Sequence, residues 1–263
     1  MIIGCIITYN DWPLIKECVG SVIGKVDKII IVDGRYKDFP GEENISTDGT
    51  LEYLKDFPKI ESPFVRKLND KDEYLVTPEV TEGYEWVFEG KEDEVLATEK
   101  LDGTDVSIVV ENGIITSIWN RTNRIPFFCK GKMYIIEGVI EAFGRGYTEL
   151  PDGQHFGEVI GPKLNSNPYK LEKHIWIPFN TYCRDKISYN SWHKYPKTFE
   201  NISKWFSTPI SEGGIFSLFQ RKKGIEQKPE GIVFHNLKTG QMAKIRMDMF
   251  KEFKGRRHET KSK

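Results

Sequence analysis

Two β-forming runs, Val106-Ser107-Ile108-Val109-Val110 and Ile114-Ile115-Thr116-Ser117-Ile118-Trp119, flank Glu111-Asn112-Gly113. Asn-Gly between such runs predicts a tight hairpin, because both central residues must accept positive φ. Immediately upstream stands Ala97-Thr98-Glu99-Lys100-Leu101-Asp102-Gly103-Thr104-Asp105, entered through the apolar Val95-Leu96-Ala97. A lysine is thereby placed at a Gly-containing turn between two strands, where rigid backbone can aim its amine. An amine is a nucleophile only when deprotonated, a form favoured by burial or neighbouring positive charge. Taken alone, Lys-x-Asp-Gly is an ordinary surface turn.

Further strands and helices follow. Residues 133–143 place Ile135, Ile136, Val139, Ile140 and Phe143 at helical spacing, as on a helix packed against a sheet. Residues 155–160 and 174–179 read as strands. A helix is expected over 199–206 with Ile202, Trp205 and Phe206 inward. Residues 228–235 and 241–246 should pair across the polar turn 237–240. Repeated hairpins with a few helices predict an α+β domain of antiparallel sheets with flanking helices.

The N-terminal part reads differently. Ile2-Ile3-Gly4-Cys5-Ile6-Ile7 is a continuous apolar run of the kind buried on both faces of a parallel sheet. Asn10-Asp11 offers an N-cap and Pro13 suits the first turn of a helix. That helix is carried by Leu14-Ile15, Cys18-Val19 and Val22-Ile23, and Gly24 ends it. A second strand over 26–32 stops at Asp33-Gly34. The result is a small α/β unit of βαβ type, with a further helix across 50–56. Residues 58–95, punctuated by Pro58, Pro63 and Pro78, read as a linker and entry segment.

The chain has 263 residues, enough for one large or two modest domains. Lys plus Arg is 38 against 39 for Asp plus Glu, a net charge of −1, so any polyanion-binding surface must be local. The basic end, 251–263 with Arg256-Arg257, is one such place. No apolar run could cross a bilayer and no signal peptide is evident. Four scattered cysteines without a Cys-x-x-Cys pair indicate neither a zinc site nor a disulfide scaffold, and a cytoplasmic setting fits.

The lysine turn is followed, in order, by Asn120-Arg121-Thr122, Phe156-Gly157-Glu158-Val159-Ile160-Gly161 and Ile175-Trp176-Ile177-Pro178-Phe179. Pro229-Glu230-Gly231-Ile232-Val233-Phe234 and Met242-Ala243-Lys244-Ile245-Arg246 close the series. Over about residues 60–250 this order resembles the covalent nucleotidyltransferase superfamily of RNA ligases, DNA ligases and mRNA capping enzymes. The likeness is nearest to RNA ligases, because Gly157-Glu158-Val159-Ile160-Gly161-Pro162 running on to Asn167-Pro168-Tyr169 is similar to their third motif.

The resemblance implies an adenylyltransferase domain over 96–250, flanked by the entry segment 58–95 and the basic tail 251–263. It implies an ATP-dependent RNA ligase working with Mg²⁺ or Mn²⁺ on RNA ends or nicked duplexes. A DNA ligase or a GTP-using capping enzyme is the alternative in chemistry. Lys100 would take the adenylate, and Lys244 and Arg246, alternating on one strand face, would contact phosphate. Glu230 would hold the metal through water. Glu158 would contact the ribose, Glu99 the adenine edge and Arg121 the sugar or a phosphate. Trp176 matches the position where similar ligases stack an aromatic on the base, with a core tryptophan as the alternative. The five histidines form no ligand spacing. RNA ligases commonly have Asn where this chain has Asp105, a difference that bears on end joining more than on the first adenylation. Little chain follows Arg246, so substrate grip would rest on the cleft, the N-terminal unit or a partner protein that the sequence does not identify.

Residues 1–57 have their own likeness. Ile7-Thr8-Tyr9-Asn10, then Ile30-Ile31-Val32-Asp33-Gly34 and Ser46-Thr47-Asp48-Gly49-Thr50, resemble the opening of a family 2 glycosyltransferase. That implies a site for a nucleotide or nucleotide-sugar. The likeness fades near residue 57, and Asp70-Lys71-Asp72 is the single candidate for the metal-binding acid pair. The fragment therefore reads as an accessory or truncated module. A glycosyltransferase-like protein with a non-catalytic, nucleotide-binding ligase half is the competing reading of the whole.

Overall fold

The computed structural model describes residues 3–8, 14–22, 25 and 28–33. From 60 to 251 it describes all but 70, 72, 122, 128, 145–149 and 180–185. At the N-terminus, β1 (Ile3–Thr8) and β2 (Lys28–Asp33) pair in parallel, with the helix Leu14–Val22 between them in sequence. This is the βαβ unit that the apolar runs predict. The buried side of its helix is narrower than the pattern suggests: Ile15 is buried, whereas Leu14 and Cys18 are exposed. The expected cap at 10–13, Gly24, the helix at 50–56, the 46–50 motif, Asp70, Asp72 and tail residues 252–263 lie outside the described residues.

The larger part is built on two antiparallel sheets. One runs β12-β11-β5, from β5 (Val95–Lys100), β11 (Gly231–Asn236) and β12 (Met242–Arg246). The other runs β10-β9-β6-β7-β8, from β6 (Thr104–Glu111), β7 (Ile114–Asn120), β8 (Asn123–Ile125), β9 (Gly153–Ile160) and β10 (Ile175–Pro178). The β6–β7 hairpin turns where Asn112-Gly113 predicts, with φ of 53° and 73°. Both turn N–H groups donate to the Asp152 carboxylate, at 2.9 and 3.1 Å.

Strands β5 and β6 are consecutive in sequence but lie in different sheets, so Leu101-Asp102-Gly103 is a crossing between the two. Gly103 passes so close to β9 that a Cβ there would collide with the Val159 carbonyl.

Each sheet has its own core. Helix Met133–Gly144 covers β9 and β10 and buries Ile135, Ile136, Val139 and Ala142. Ile140, expected inward, is 66 % exposed. At about 100° per residue it stands on the far side of Val139 from Ile135 and Ala142, outside the contact arc. Helix Phe199–Ser207 buries Ile202, Trp205 and Phe206 as its spacing predicts, capped by the Thr198 hydroxyl, which accepts the Asn201 N–H.

Residues 58–95 do more than connect. They form the hairpin β3 (Phe64–Leu68) and β4 (Tyr74–Val80) and the short helix Trp86–Glu89. Phe64, Val76 and Val87 are buried with β5, β11 and β12, and the Phe64 ring lies 4.8 Å from Phe88 and 5.2 Å from Phe199 between centroids. The charges that suggest a linker, such as the Lys67–Glu79 pair at 3.0 Å, occupy the outer side of the hairpin.

A methyl group at Gly157 would collide with the Ile177 carbonyl and come within 2.5 Å of the Trp176 indole nitrogen. Gly157→Ala should therefore cost about 1–3 kcal/mol through overpacking. Ile140→Lys, at an exposed site, should stay within about 0.5 kcal/mol of the parent. Denaturant midpoints measure both, and equal losses would contradict these packing assignments.

Candidate active site

The register of the three-stranded sheet gathers the basic residues. Gly231 stands opposite both Lys100 and Arg246, and Val233 opposite both Thr98 and Lys244. Opposed residues share a face of a pleated sheet, as do alternate residues along a strand. Lys100, Lys244 and Arg246 therefore project from one face, and Gly231 puts no side chain between Lys100 and Arg246. Burial chiefly, then the charges of Lys100 and Arg246, hold the Lys244 ammonium below its usual range, while Glu61 and Glu230 oppose that shift. Arg246 Nε lies 3.1 Å from Asp248 Oδ1, a carboxylate that the sequence reading does not single out.

Lys100 ends β5 and its Nζ lies 2.5 Å from Glu230 Oε2. Glu230 immediately precedes β11, and its backbone carbonyl accepts the Met247 N–H at 3.0 Å, tying it to the end of β12. The Lys100 side chain is 20 % exposed and that of Glu230 is 3 % exposed, so an entering ligand meets the amine before the acid behind it.

Glu158 comes from the other sheet. Its Oε1 accepts the Gly103 N–H at 3.1 Å, and its strand register places it opposite Asp105. Burial pushes its carboxyl up to about 8; Lys100 pulls it down, while Asp105, Glu230 and Asp102 push it further up. At neutral pH it is mostly protonated, and a neutral carboxyl can both donate and accept a hydrogen bond.

The crossing is clasped by a loop that follows β9. Asn165 Nδ2 donates to Asp102 Oδ1 at 2.5 Å and to the Gly103 carbonyl at 3.1 Å, and the Asp102 N–H donates to Tyr169 Oη at 2.7 Å. Asn165, Ser166 and Asn167 all hold left-handed φ, 46°, 60° and 51°. Such conformations cost about 1–3 kcal/mol each and persist where surrounding contacts impose them. Gln220 Nε2 donates to the Pro168 carbonyl at 3.1 Å, and the Tyr169 ring meets Phe219 edge-on. Asn120 completes the frame by donating to Thr104 Oγ1 at 3.1 Å and to the Asp105 carbonyl at 2.9 Å.

The other expected site residues fall elsewhere. Trp176 has no exposed surface, and its indole N–H donates to the Val106 carbonyl at 3.0 Å. The stacking role is corrected to the core alternative, because all four residues of β10 are buried beneath helix Met133–Gly144. Glu99 points to the opposite side of β5 from Lys100, by strand alternation. Its oxygens accept the Ser217 hydroxyl at 2.6 Å and the Phe219 N–H at 2.9 Å, bonds that a contact with adenine would have to displace. Arg121 is exposed at the β7–β8 turn, and among the described residues it makes no hydrogen bond or ion pair to the Lys100 cluster. Asn165, Ser217 and Gln220 carry no local signal of these roles; Tyr169 closes the third-motif run, and the turn-forming Asn165-Ser166-Asn167-Pro168 marks a loop, without either showing what is gripped.

Burial also pushes the Glu99 carboxyl up to about 7, against the hydrogen bonds from Ser217 and Phe219. Both folded values exceed the ordinary 4.5, so between pH 4.5 and 8 the folded chain holds protons that the unfolded chain has released. The stability contributed by these two carboxyls is complete below about pH 4.5 and is lost as pH rises through 7 and 8. Urea midpoints of the parent should fall across that window. Glu99→Gln should flatten the profile by on the order of 3 kcal/mol. A parent midpoint that climbs with pH would contradict this.

Comparison with known proteins gives three results. A family model described as RNA ligase matches residues 93–251, more than half of the chain. A search of curated proteins finds no match. Among solved structures, an RNA ligase of Naegleria gruberi with PPi matches at 15 % identity and a TM-score of 0.39, covering 62 % of this chain and 52 % of that one. A mutant of that ligase with ATP and Mn matches at 17 % identity and 0.38, covering 78 % and 67 %. A further mutant with AMP and Mn matches at 14 % and 0.36, covering 80 % and 69 %. In the first of these the match spans about half the length of the solved chain. Similarity at that level carries no argument, and the assignment stands on the sequence match, whose span contains Lys100, Glu158, Glu230, Lys244 and Arg246. The chain belongs to the RNA ligase family.

Proposed function

We propose that the protein is an ATP-dependent RNA ligase that joins 5′-phosphate and 3′-hydroxyl ends through a lysyl-adenylate on Lys100. The observation that carries this reading is the placement of Lys100 Nζ on the sheet face shared with Lys244 and Arg246, 2.5 Å from the buried Glu230. An amine nucleophile, fixed cations for developing phosphoryl charge and a nearby carboxylate are what phosphoryl transfer requires.

In the first step Lys100 Nζ attacks the α-phosphorus of ATP, forming an N–P bond as the bond to the β-phosphate oxygen breaks, pyrophosphate leaves and the displaced amine proton passes to solvent. A 5′-phosphate oxygen of RNA then displaces lysine and takes the adenylate. Last, a 3′-hydroxyl attacks that 5′-phosphorus, sealing the strand and releasing AMP. Lys244 and Arg246 would meet the charge that builds on the phosphoryl oxygens. Glu158 would hydrogen-bond a ribose hydroxyl in both directions. Asn165 and Tyr169 would keep the crossing, and with it the amine, in place.

Mg²⁺ or Mn²⁺ fits Glu230, since Mg²⁺ keeps much of its water and is held by one or two carboxylates with substrate phosphates. Among the described residues no group of three or more His, Cys, Asp or Glu is arranged to hold a metal, so the ion would be shared with the nucleotide. Its contribution would be neutralisation of phosphate charge. The catalytic unit would begin near residue 60, because the β3–β4 hairpin shares its core. The family match starts at residue 93 and does not include the N-terminal βαβ unit. Among the described residues no helix is long and apolar enough to cross a membrane.

Incubation with α-labelled ATP and Mg²⁺ should leave acid-stable label on the parent chain, and none on Lys100→Ala. Asn165→Ala should slow labelling by about tenfold or more, since small displacements of a nucleophile are costly, while ATP half-saturation changes little. Label accepted from GTP in preference to ATP would move the reading to capping. Sealing of a nicked DNA in preference to the matched RNA would move it to a DNA ligase.

A further inference from the structure

From Arg121 to Ile136 the chain carries four cations, Arg121, Arg124, Lys130 and Lys132, and no acidic residue, in a protein whose net charge is −1. The first part of this segment, β8, lies on the rim of the five-stranded sheet, and its last residues begin the helix Met133–Gly144. β8 is the outermost strand of that sheet, anchored by the buried Ile125, with Arg124 exposed beside it. Arg124 spends one guanidinium N–H on the Thr116 carbonyl at 3.4 Å, and its planar fork offers five. The turn after β8 leaves Phe127 43 % exposed, three residues before the exposed Lys130.

Charged side chains alone would be explained as protection of a sheet edge against pairing. An exposed phenyl ring serves no such purpose. Exposed aromatics among cations are the arrangement that holds single strands, bases stacking on the rings and phosphates meeting the charges. The patch is also tied to the active site. Lys132 Nζ donates to Asn120 Oδ1 at 3.3 Å, and Asn120 in turn holds Thr104 and the Asp105 carbonyl at the start of β6, just beyond the Lys100 crossing.

We propose that β8 and the turn after it form a docking track for the single RNA strand that leads to Lys100. The proposal rests on the ligase reading, and it adds the surface that grips the substrate. Arg121, at the end nearest Asn120, would take the phosphate closest to the joint, Arg124 and Lys130 would take more distant ones, and Phe127 would stack a base.

The test measures binding of a labelled RNA oligonucleotide across a salt titration, alongside self-adenylation by ATP, which needs no RNA. Each phosphate contact on a single strand contributes about 0.7 to the slope of log affinity against log salt. The Arg124→Ala/Lys130→Ala variant should therefore lower that slope by about 1.4 and weaken RNA binding about tenfold or more. Phe127→Ala should weaken binding at least about fivefold and leave the slope unchanged. Both variants should self-adenylate at the parent rate and unfold at the parent temperature. Equal losses on RNA and on DNA of the same sequence would support a track that reads the phosphate backbone. Unchanged RNA affinity in both variants would overturn the proposal, as would a loss confined to DNA. So would a fall in self-adenylation in step with RNA binding, because the patch would then serve the catalytic fold. A parent chain that binds RNA through these residues and takes no label from ATP would refute the ligase reading and leave the track standing.

Discussion

Three residues carry the chain from one sheet to the other, and the candidate site is built where they do so. Leu101-Asp102-Gly103 must leave the edge of the three-stranded sheet and start β6 against β9 without room for a side chain at Gly103. That constraint fixes the end of β5 and therefore the root of Lys100. The ion pair with Glu230 then fixes its tip. One sheet supplies the amine, its acid and the two further cations, while the other supplies Glu158 and, through its loop, the clasp on the crossing.

Electrostatically the site is held together by opposed demands. Glu158 and Glu99 are buried carboxyls that cost more to ionise in place than in water, and that burial raises both above the ordinary carboxylate range. Lys244 is pressed the other way by burial and by the two cations beside it. Removing one member of such a cluster changes the charge felt by the rest, so the single residues here do not act independently.

Much of this was legible in the sequence where the signal is local. The Asn112-Gly113 turn, the inward face of helix Phe199–Ser207 and the alternation of Lys244 and Arg246 on β12 follow from short-range periodicity and turn chemistry, and each is found as expected. The misses are of another kind. Trp176 and Ile140 depend on which side of β10 and of helix Met133–Gly144 faces the neighbouring layer, which spacing within one element does not decide. Phe64 and Val76 sit in a segment whose outer charges mask its apolar inner face. Asn165, Tyr169 and Ser217 act through partners more than 60 residues away in sequence, and no periodicity encodes a contact of that range.

The strand order β12-β11-β5 has a temporal consequence. β5 lies at the edge of its sheet, and its partner β11 follows 131 residues later, counting from Lys100 to the opposed Gly231. During synthesis Lys100 emerges long before Glu230, Lys244 and Arg246 exist, and closing so long a loop is slow compared with local pairing. The hairpin β6–β7 can form early, but Lys100 acquires its counter-charge and neighbouring cations only when the last strands have been made and docked. A chain cut short of residue 230 thus carries Lys100 without Glu230, Lys244 or Arg246, and the cluster is complete only once the last strands are in place.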